Sequence, residues 1–283
     1  MKPTLLNERP LKETVASVSV IIPCWKCENT IARALDSIKK QSLKPAEVII
    51  VNDASGSATS ACLNKITHNY NSLLDDWIKV IDLPRQSGPA GARNIGWEHA
   101  SHHFLAFLDA DDAWHPRKLE IQYVYMNANP DVAITGHRTV WLKLDAAPPV
   151  LPAQWTLKRI RSTDQLLANR FHTRSVMVRR NIPMRFETEK RYSEDYLLWS
   201  EMLFNGLKGV HIDLTLAYTF KPQYGALGLS GELWEMEKGE LDTFFRLYRK
   251  KLISFLHLIS LIPLSLFKYA KRKILTQFIC KLK

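Results

Sequence analysis

The sequence predicts an α/β fold in which a mostly parallel central sheet is flanked by helices. Through the first half of the 283 residues, apolar runs of strand length alternate with segments whose apolar residues recur at helical spacing. Nearly continuous apolar strands are typical of a parallel sheet that is covered on both faces. Charged residues follow several of these runs, and such sheets bind ligands at the carboxyl ends of their strands. We therefore expect a ligand site at that end of the sheet.

The predicted elements follow one another in a regular order up to about residue 128. Strands are predicted at 18–23, 47–52, 77–83 and 104–108, with helices at 29–41, from the turn after residue 53 to about 68, and at 90–101. The second half follows a different pattern, with predicted strands at 132–144, 172–178 and 209–220, a helix at 195–205 and a proline-containing loop at 146–152. The second half is therefore not a repeat of the first.

The net charge of +11 is concentrated at the C-terminus. From Phe244 onward there are ten basic residues and no acidic one, whereas the rest of the chain carries 29 basic and 28 acidic residues. These basic residues are interleaved with aliphatic ones, whereas a nucleic-acid binder spreads its charge over a face with stacking aromatic residues. The charge argues against nucleic acid as a partner.

The C-terminal segment contains 16 consecutive uncharged residues at 252–267, with basic residues on both sides. A membrane-spanning helix needs about 20 apolar residues, and this run is shorter and contains Pro263. We favour a helix, kinked at the proline, that lies in the membrane interface with its basic flanks on anionic headgroups. The alternative is an apolar helix docked on the protein's own core.

The N-terminal residues lack the apolar core of a signal peptide, so we expect the chain to stay in the compartment where it is made. Four cysteines without a regular framework agree with a reducing interior. Cys24 and Cys27 resemble a redox or zinc pair, but the helix signal lies later, at Asn29 or Thr30, and no partner pair exists. We interpret them as small residues lining a loop.

The sequence Asp109-Ala-Asp-Asp112 closes the fourth strand. Along a strand, Asp109 and Asp111 point to the same face, which suits a divalent cation and the diphosphate that the cation bridges. The simpler interpretation is that Asp111 and Asp112 start the helix that follows, with Asp112 as its cap.

Three further motifs have both a structural and a functional interpretation. Asp53 follows the second strand and either binds a base or ribose or makes an ordinary turn. The segment 88–96 begins a helix and contains three glycines. Arg93 in it is a candidate hydrogen-bond donor to a phosphate group. The glycine spacing matches neither the dinucleotide-binding fingerprint nor the P-loop. Glu194 and Asp195 begin a helix, either as favoured first-turn acids or with one of them as a general base.

Taken in order, these motifs resemble the family 2 glycosyltransferases, which have the GT-A fold. The resemblance rests on Val18-Ser-Val-Ile-Ile-Pro23, Glu47-Val-Ile-Ile-Val-Asn-Asp-Ala-Ser55, Gly91-Ala-Arg-Asn-Ile-Gly96, Phe107-Leu-Asp-Ala-Asp-Asp112 and Ser193-Glu-Asp-Tyr-Leu-Leu-Trp199. One departure is Cys24-Trp-Lys26, where many members have Tyr-Asn.

The resemblance implies a role for each matching residue. The loop after Pro23, Glu28 and Asp53 would hold the nucleoside of a nucleotide-sugar donor, and Arg93 would contact its ribose or diphosphate. Asp109 would contact ribose or metal, and Asp111 would ligate Mn²⁺ or Mg²⁺. Asp195 would be the base of an inverting transfer. The expected donor is a UDP-sugar and the acceptor a glycan or lipid-linked glycan.

On this basis we divide the chain into an N-terminal extension (1–17), a nucleotide-sugar-binding half (18–128), an acceptor-binding half (129–231) and a basic tail (232–283). The acceptor groove is expected to use residues from the second half, with Trp141, Trp155, Arg174, Trp199 and the loop 225–231 as candidates. Family members with a short enzyme body and a basic tail usually extend surface polysaccharides, so we expect a cytoplasmic enzyme held on the inner face of the cell membrane. The alternative is a non-catalytic membrane-surface module with the same fold.

Overall fold

The computed structural model describes residues 14–74, 77–144, 146–220 and 232–281. The strands are β1 Val15–Cys24, β2 Lys44–Asn52, β3 Ile78–Asp82, β4 Phe104–Phe107, β5 Asp112–Trp114, β6 Val132–Trp141, β7 Leu157–Ile160, β8 Met177–Arg179 and β9 Lys208–Thr219. The helices are α1 Ile31–Lys39, α2 Ser57–Leu74, α3 Gly88–His99, α4 Lys118–Ala128, α5 Ser162–Leu167, α6 Glu194–Phe204, α7 Leu233–Arg249 and α8 Phe255–Lys281. The strands form one sheet in the order β3-β2-β1-β4-β8-β6-β9-β5, with β7 on β9. The predicted α/β fold with a central sheet between helices is confirmed.

The first four strands pair with one another in parallel, as predicted. β1 lies between β2 and β4, and β3 extends the sheet from β2. Val18 and Val20 of β1 pack in one core with α1, α2 and α4, whereas Ile21 packs in a second core with Trp97 of α3. Because both faces of β1 are buried, its sequence is continuously apolar instead of alternating.

The second half adds antiparallel strands and makes the sheet mixed. β8 pairs antiparallel with β4 and with β6, and it thereby joins the two halves of the sheet. The strand predicted at 172–178 is shorter than expected, because Thr173–Ser175 forms a 3-10 turn before β8. The sequence analysis did not predict β7 or α5, whose short segments lack a clear periodic pattern.

The alternative interpretation, in which Asp112 caps the helix that follows, is wrong. Residues Asp112–Trp114 form β5, which pairs antiparallel with β9, and α4 begins only at Lys118. Pro116 explains the delay, since the residue before a proline is disfavoured in the helical conformation. Asp112 therefore belongs to the sheet.

Gly96 allows α3 to lie close to the sheet. A Cβ atom at this position would lie 2.5 Å from Cγ2 of Ile21 on β1. This close approach fixes the height of α3 above the strands and thus the position of Arg93, one turn earlier in the helix.

Cys24 and Cys27 form a disulfide with a Cα separation of 5.7 Å. The interpretation of the two cysteines as separate residues lining a loop is therefore wrong. Lys26 between them has a φ of +49°, which turns the chain so that the two side chains meet. This pairing depends on the path of the loop, which the spacing of the cysteines did not reveal.

The C-terminal helices pack on the body of the protein with one face only. Phe244 and Leu247 of α7, with Leu258 and Leu261 of α8, form a core with Tyr196 of α6. The basic flanks, which argued against docking, are partly compensated by upstream acids: Arg272 pairs with Glu237 and Glu240, Lys268 with Glu240, and Lys250 with Glu201. Among the described residues, no helix is both long and apolar enough to cross a bilayer.

Two predicted features lie outside the described residues. These are the loop 225–231, which was a candidate for the acceptor groove, and the first 13 residues of the predicted N-terminal extension. The proposed division of the chain into four segments remains a prediction.

Candidate active site

Arg93 joins the acidic end of β4 to the start of α6. Its Nη2 lies 2.7 Å from Oδ1 of Asp109, and its Nη1 lies 2.8 Å from Oε1 of Glu194. Burial disfavours the charge of the guanidinium, but the two carboxylates together raise the pKa of Arg93. An ion pair this deeply buried is stable only when its partners are well placed. Arg93 thus holds together two motifs that are 85 residues apart in the sequence.

A second arginine, Arg174, contacts the same group of aspartates after β4. Its Nε lies 2.8 Å from Oδ2 of Asp112, and its Nη2 lies 4.0 Å from Oδ2 of Asp109. Its backbone carbonyl accepts a hydrogen bond of 2.8 Å from the indole of Trp114. Burial raises the pKa of Asp112 to about 7, although Arg174 acts to lower it.

Carboxyl groups outnumber cations in this cluster. The carboxyl groups belong to Asp109, Asp111, Asp112, Glu194 and Asp195, and the guanidinium groups to Arg93 and Arg174. Burial raises the pKa of Glu194 to about 7 against the opposing effect of Arg93. Among the described residues of this cluster the carboxyl groups are in the majority, which favours the binding of cations.

The carboxylate oxygens of this cluster suit a divalent cation that also binds phosphate oxygens of a ligand. Within the described ranges, no group of three or more His, Cys, Asp or Glu side chains forms a cage for a metal ion. Mg²⁺ does not need one, since it is commonly bound by one or two carboxylates together with substrate phosphates and water. Asp109 and Asp111 are oxygen donors of this kind, and both remain partly accessible.

Asp195 lies in the first turn of α6, next to Glu194. Its Oδ2 accepts hydrogen bonds of 3.1 Å from Nδ2 of Asn169 and 3.1 Å from Oγ1 of Thr173, and its Oδ1 accepts one of 2.7 Å from the backbone N–H of Tyr196. The carboxylate is partly exposed, whereas the neighbouring Glu194 is buried. Of the two carboxylates, that of Asp195 is therefore the more accessible.

Asp53 connects the end of β2 with the start of α3. Its Oδ1 accepts hydrogen bonds from the backbone N–H (2.6 Å) and hydroxyl (3.0 Å) of Ser87, and its Oδ2 accepts one of 2.9 Å from the N–H of Gly88. Sequence reasoning allowed a local turn, whereas the partners are 34 and 35 residues away. Asp53 thus fixes the loop that precedes the helix of Arg93.

The other predicted donor-binding residues lie near the ends of the same strands. Pro23 on β1 is in register with Val51 on β2, two residues before Asp53. Glu28, in the loop after β1, accepts a hydrogen bond from the hydroxyl of Thr59 on α2. The structure therefore brings Arg93, Asp109 and Asp195 into one cluster, with Pro23 and Asp53 at the ends of adjacent strands, whereas Glu28 lies against α2.

Sequence reasoning did not assign three side chains to this cluster. Asn169 and Thr173 had no signal in the sequence, because single polar residues in an irregular segment look like any loop. Arg174 was only one candidate for an acceptor groove. Trp199, another candidate, is fully buried in the core and lines no groove, while Trp141 is exposed.

Residues 19–189 match the family model described as "Glycosyl transferase family 2". This range is more than half of the chain. The chain belongs to glycosyl transferase family 2. The family range includes Pro23, Glu28, Asp53, Arg93, Asp109 and Asp111, and it ends shortly before Asp195.

Curated relatives in this family come from several bacteria. The chain is 29% identical over 211 residues to the succinoglycan biosynthesis protein ExoO of Rhizobium meliloti, covering 70% of this chain and 58% of that protein. It is 35% identical over 112 residues to WfgD of Escherichia coli, named as a UDP-Glc:alpha-D-GlcNAc-diphosphoundecaprenol beta-1,3-glucosyltransferase, covering 40% of this chain and 42% of that protein. The chain thus spans about half the length of these relatives.

Solved structures share the family's fold at low sequence identity. TarS 1–349 of S. aureus in complex with UDP-GlcNAc has a TM-score of 0.66 at 17% identity, covering 87% of this chain and 70% of that one. The mannosyltransferase PcManGT of Pyrobaculum calidifontis in complex with GDP-Man and Mn²⁺ has a TM-score of 0.63 at 17% identity, covering 92% and 77%. These likenesses confirm the predicted GT-A fold.

Proposed function

We propose that this protein transfers a sugar from a nucleotide-sugar donor, a UDP-sugar in our expectation, to a hydroxyl group of a glycan or lipid-linked glycan in bacterial surface-polysaccharide synthesis. The observation that carries the proposal is the cluster around Arg93. This arginine ties the strand-end carboxylate of Asp109 to the helix start that holds Asp195. In this proposal Asp109 serves the donor diphosphate and Asp195 is the base for the acceptor, and the contacts of Arg93 support their being neighbours.

In the proposed reaction, Asp195 accepts the proton of the acceptor hydroxyl while the acceptor oxygen bonds to the anomeric carbon of the sugar. The bond between that carbon and the diphosphate oxygen breaks, and its electron pair leaves with the nucleoside diphosphate. Attack from the face opposite the leaving group inverts the anomeric carbon. Arg93 keeps Asp109 and Glu194 in place during the transfer.

Asp109 and Asp111 are the residues that would hold Mn²⁺ or Mg²⁺. Such an ion, when bound, stabilises the charge of the departing diphosphate. Pro23, Glu28 and Asp53 are proposed to contact the nucleoside, because they lie at or near the carboxyl ends of β1 and β2.

The names of the relatives support this choice of substrates. WfgD is named for a UDP-Glc donor and a diphosphoundecaprenol acceptor, and ExoO for succinoglycan biosynthesis. The TarS structure contains UDP-GlcNAc, and the PcManGT structure contains GDP-Man with Mn²⁺. A UDP-sugar donor and a lipid-linked acceptor are therefore the first combination to test.

The role of the metal is tested by its removal. We expect EDTA to lower transfer from the best donor of a UDP-, GDP- and dTDP-sugar panel by roughly two to three orders of magnitude, because metal charge stabilisation is worth several kcal/mol. Added Mn²⁺ should restore the rate, and Asp111→Ala should resemble the EDTA-treated enzyme. An undiminished rate in EDTA would contradict the proposed metal dependence.

We further propose that α8 rests on an anionic membrane, with the enzyme on the cytoplasmic side. Leu258, Leu261 and Ser265 of α8 are buried against the body. The opposite face is apolar and exposed, with Phe255 57%, Leu256 78%, Ile259 50%, Leu266 40% and Phe267 70% accessible. Lys251, which precedes α8, and Lys271 and Lys273 within it are also exposed. Apolar residues with basic neighbours are typical of helices that lie in the interface of an anionic bilayer.

This membrane contact is tested with Leu256→Asp combined with Phe267→Asp. We expect the variant to lose most of its co-sedimentation with phosphatidylglycerol-containing vesicles, because burial of each of these side chains contributes about 1.5–3 kcal/mol. Val150→Asp is the matched control, since Val150 is 94% exposed outside the tail. Point variants are preferable to deletion of 244–283, because Phe244, Leu247 and Leu258 belong to a core. Equal sedimentation of the double variant and the control would exclude this face as the contact.

A further inference from the structure

The Asp195 carboxylate is held by two neutral donors from one segment, residues 169–173. Asn169 Nδ2 and Thr173 Oγ1 both donate to Oδ2 at 3.1 Å. Oδ1 accepts a single hydrogen bond, from the N–H of Tyr196. A carboxylate has about four acceptor positions, two on each oxygen. Within the described part of the chain, Oδ2 is filled and the open position lies on Oδ1.

Both donors are themselves fixed in place. The side-chain oxygen of Asn169 accepts hydrogen bonds from Nε2 of Gln165 (3.0 Å) and from the backbone N–H of Phe171 (3.2 Å). Because N–H groups of Gln165 and Phe171 both donate to this atom, it is the amide oxygen, and the amide nitrogen is the atom that faces Asp195. Thr173 is buried in the 3-10 turn, directly before Arg174, which pairs with Asp112. The segment is thus anchored at both ends.

We propose that Asn169 and Thr173 are positioning residues that orient Asp195 so that Oδ1 takes the proton of the acceptor hydroxyl. This inference rests on the proposed function. Without the two donors, the carboxylate can rotate about its Cβ–Cγ bond, and proton transfer loses the alignment on which a general base depends. Arg174 follows Thr173 directly and pairs with Asp112. The same segment therefore also sets the distance between Asp195 and the aspartates that are proposed to bind the nucleotide-sugar diphosphate.

The charged groups around Asp195 come from several elements. Glu194 precedes it on α6, Arg93 approaches from α3, and His172 and Arg174 flank Thr173. Burial lowers the pKa of His172, while Asp195 acts to raise it. Thr173→Val, Thr173→Ser and Asn169→Ala leave these charges unchanged and probe the hydrogen bonds alone, whereas Asn169→Asp adds a carboxylate next to Asp195.

Thr173→Val and Thr173→Ser form the first pair of variants. Valine keeps the shape of threonine and lacks the hydroxyl, whereas serine keeps the hydroxyl. We expect Thr173→Val to lower kcat about tenfold with the KM values of both substrates nearly unchanged, since hydrogen bonds to charged groups are among the stronger ones. Thr173→Ser should stay near the wild-type kcat. Equal kcat for Thr173→Val and the wild type would overturn the role of Thr173.

Asn169→Asp and Asn169→Ala form the second pair, with a readout that a purely structural role would not change. Aspartate places a second carboxylate where the donor stood, 3.1 Å from Oδ2, and like charges at this distance disfavour the ionised base. We expect the acidic limb of the kcat/KM profile to move to higher pH by about one unit or more for Asn169→Asp. Asn169→Ala should lower kcat and move that limb in the same direction but by less, because the ionised carboxylate loses one of its hydrogen bonds.

The outcomes separate this proposal from the proposed function. An inactive wild type with every donor and acceptor tested would remove the proposed function itself. An active wild type with an inactive Asp195→Asn, together with Asn169→Asp that keeps the wild-type profile, would overturn only the positioning role. If Thr173→Val does not fold, as judged by thermal unfolding and by donor binding, the Asn169 pair decides the question alone.

Discussion

Replacing Asp195 with asparagine is expected to lower sugar transfer by roughly 10²- to 10⁴-fold, the range over which a positioned general base contributes to a rate. Asparagine has nearly the shape of aspartate, and its oxygen can still accept hydrogen bonds from Asn169 and Thr173. It cannot take a proton at neutral pH. The loss should therefore appear in kcat, measured with the best donor and acceptor, and the affinity for the donor should remain close to that of the wild type.

A carboxylate outside the cluster provides the control for this variant. Asp213 is partly exposed and pairs with Arg138, and Asp213→Asn makes the same chemical change without touching the site. Its kcat should be that of the wild type, and both variants should have similar unfolding midpoints. If Asp195→Asn retains full activity, then Asp195 is not the base and the proposed reaction has to be built on another group.

Replacing Arg93 with methionine is expected to lower the free energy of unfolding by about 3–5 kcal/mol, the usual cost of removing one partner from a buried ion pair. Asp109 and Glu194 would both lose their guanidinium partner, and Glu194 is nearly enclosed by protein. Urea denaturation measures this loss directly. Lys208→Met is the matched control, because its pair with Asp131 is exposed and such pairs contribute about 0–1 kcal/mol.

The loss in the free energy of unfolding caused by Arg93→Met should depend on pH because of Glu194. Its pKa is raised to about 7 in the folded protein, so its neutral form is favoured there relative to the unfolded chain. This contribution to stability is present below the ordinary pKa of glutamate and is lost as pH rises through about 7. The defect should accordingly be larger at a pH above 7 than below it, and Glu194→Gln added to Arg93→Met should recover part of the stability on the alkaline side. A defect that is the same at both pH values would mean that Glu194 remains solvated in the variant.

The sequence predicted the first half of the fold well because local pattern and tertiary structure agree there. β1 and β2 are apolar on both faces, and α1 has a regular helical stripe, so periodicity alone located them. Asp53 and Asp109 follow such strands, and the carboxyl ends of parallel strands meet at one end of the sheet. Their neighbourhood was therefore predictable, while the hydrogen bonds from Asp53 to Ser87 and Gly88 were not.

Other features were predicted less well because they depend on distant residues or on the path of a loop. Asp112 looked like a helix cap, but pairing with β9 and the ion pair with Arg174 place it in a strand. Cys24 and Cys27 looked like loop residues, but the turn at Lys26 brings them into a disulfide. The basic tail looked uncompensated, but Glu237 and Glu240 on α7 reach Arg272 on α8.

By itself the sequence determined the order of the strands and helices of the first half, the acidic character of one sheet end, and the family to which these motifs belong. Only the tertiary structure decided that Arg93 links Asp109 to Glu194 and that Arg174 pairs with Asp112. The same is true of the hydrogen bonds that Asn169 and Thr173 donate to Asp195. The physical reason is that hydrophobic periodicity is a property of neighbouring residues, whereas an ion pair or a hydrogen bond between residues 16 to 101 positions apart exists only after the sheet has brought them within about 3 Å.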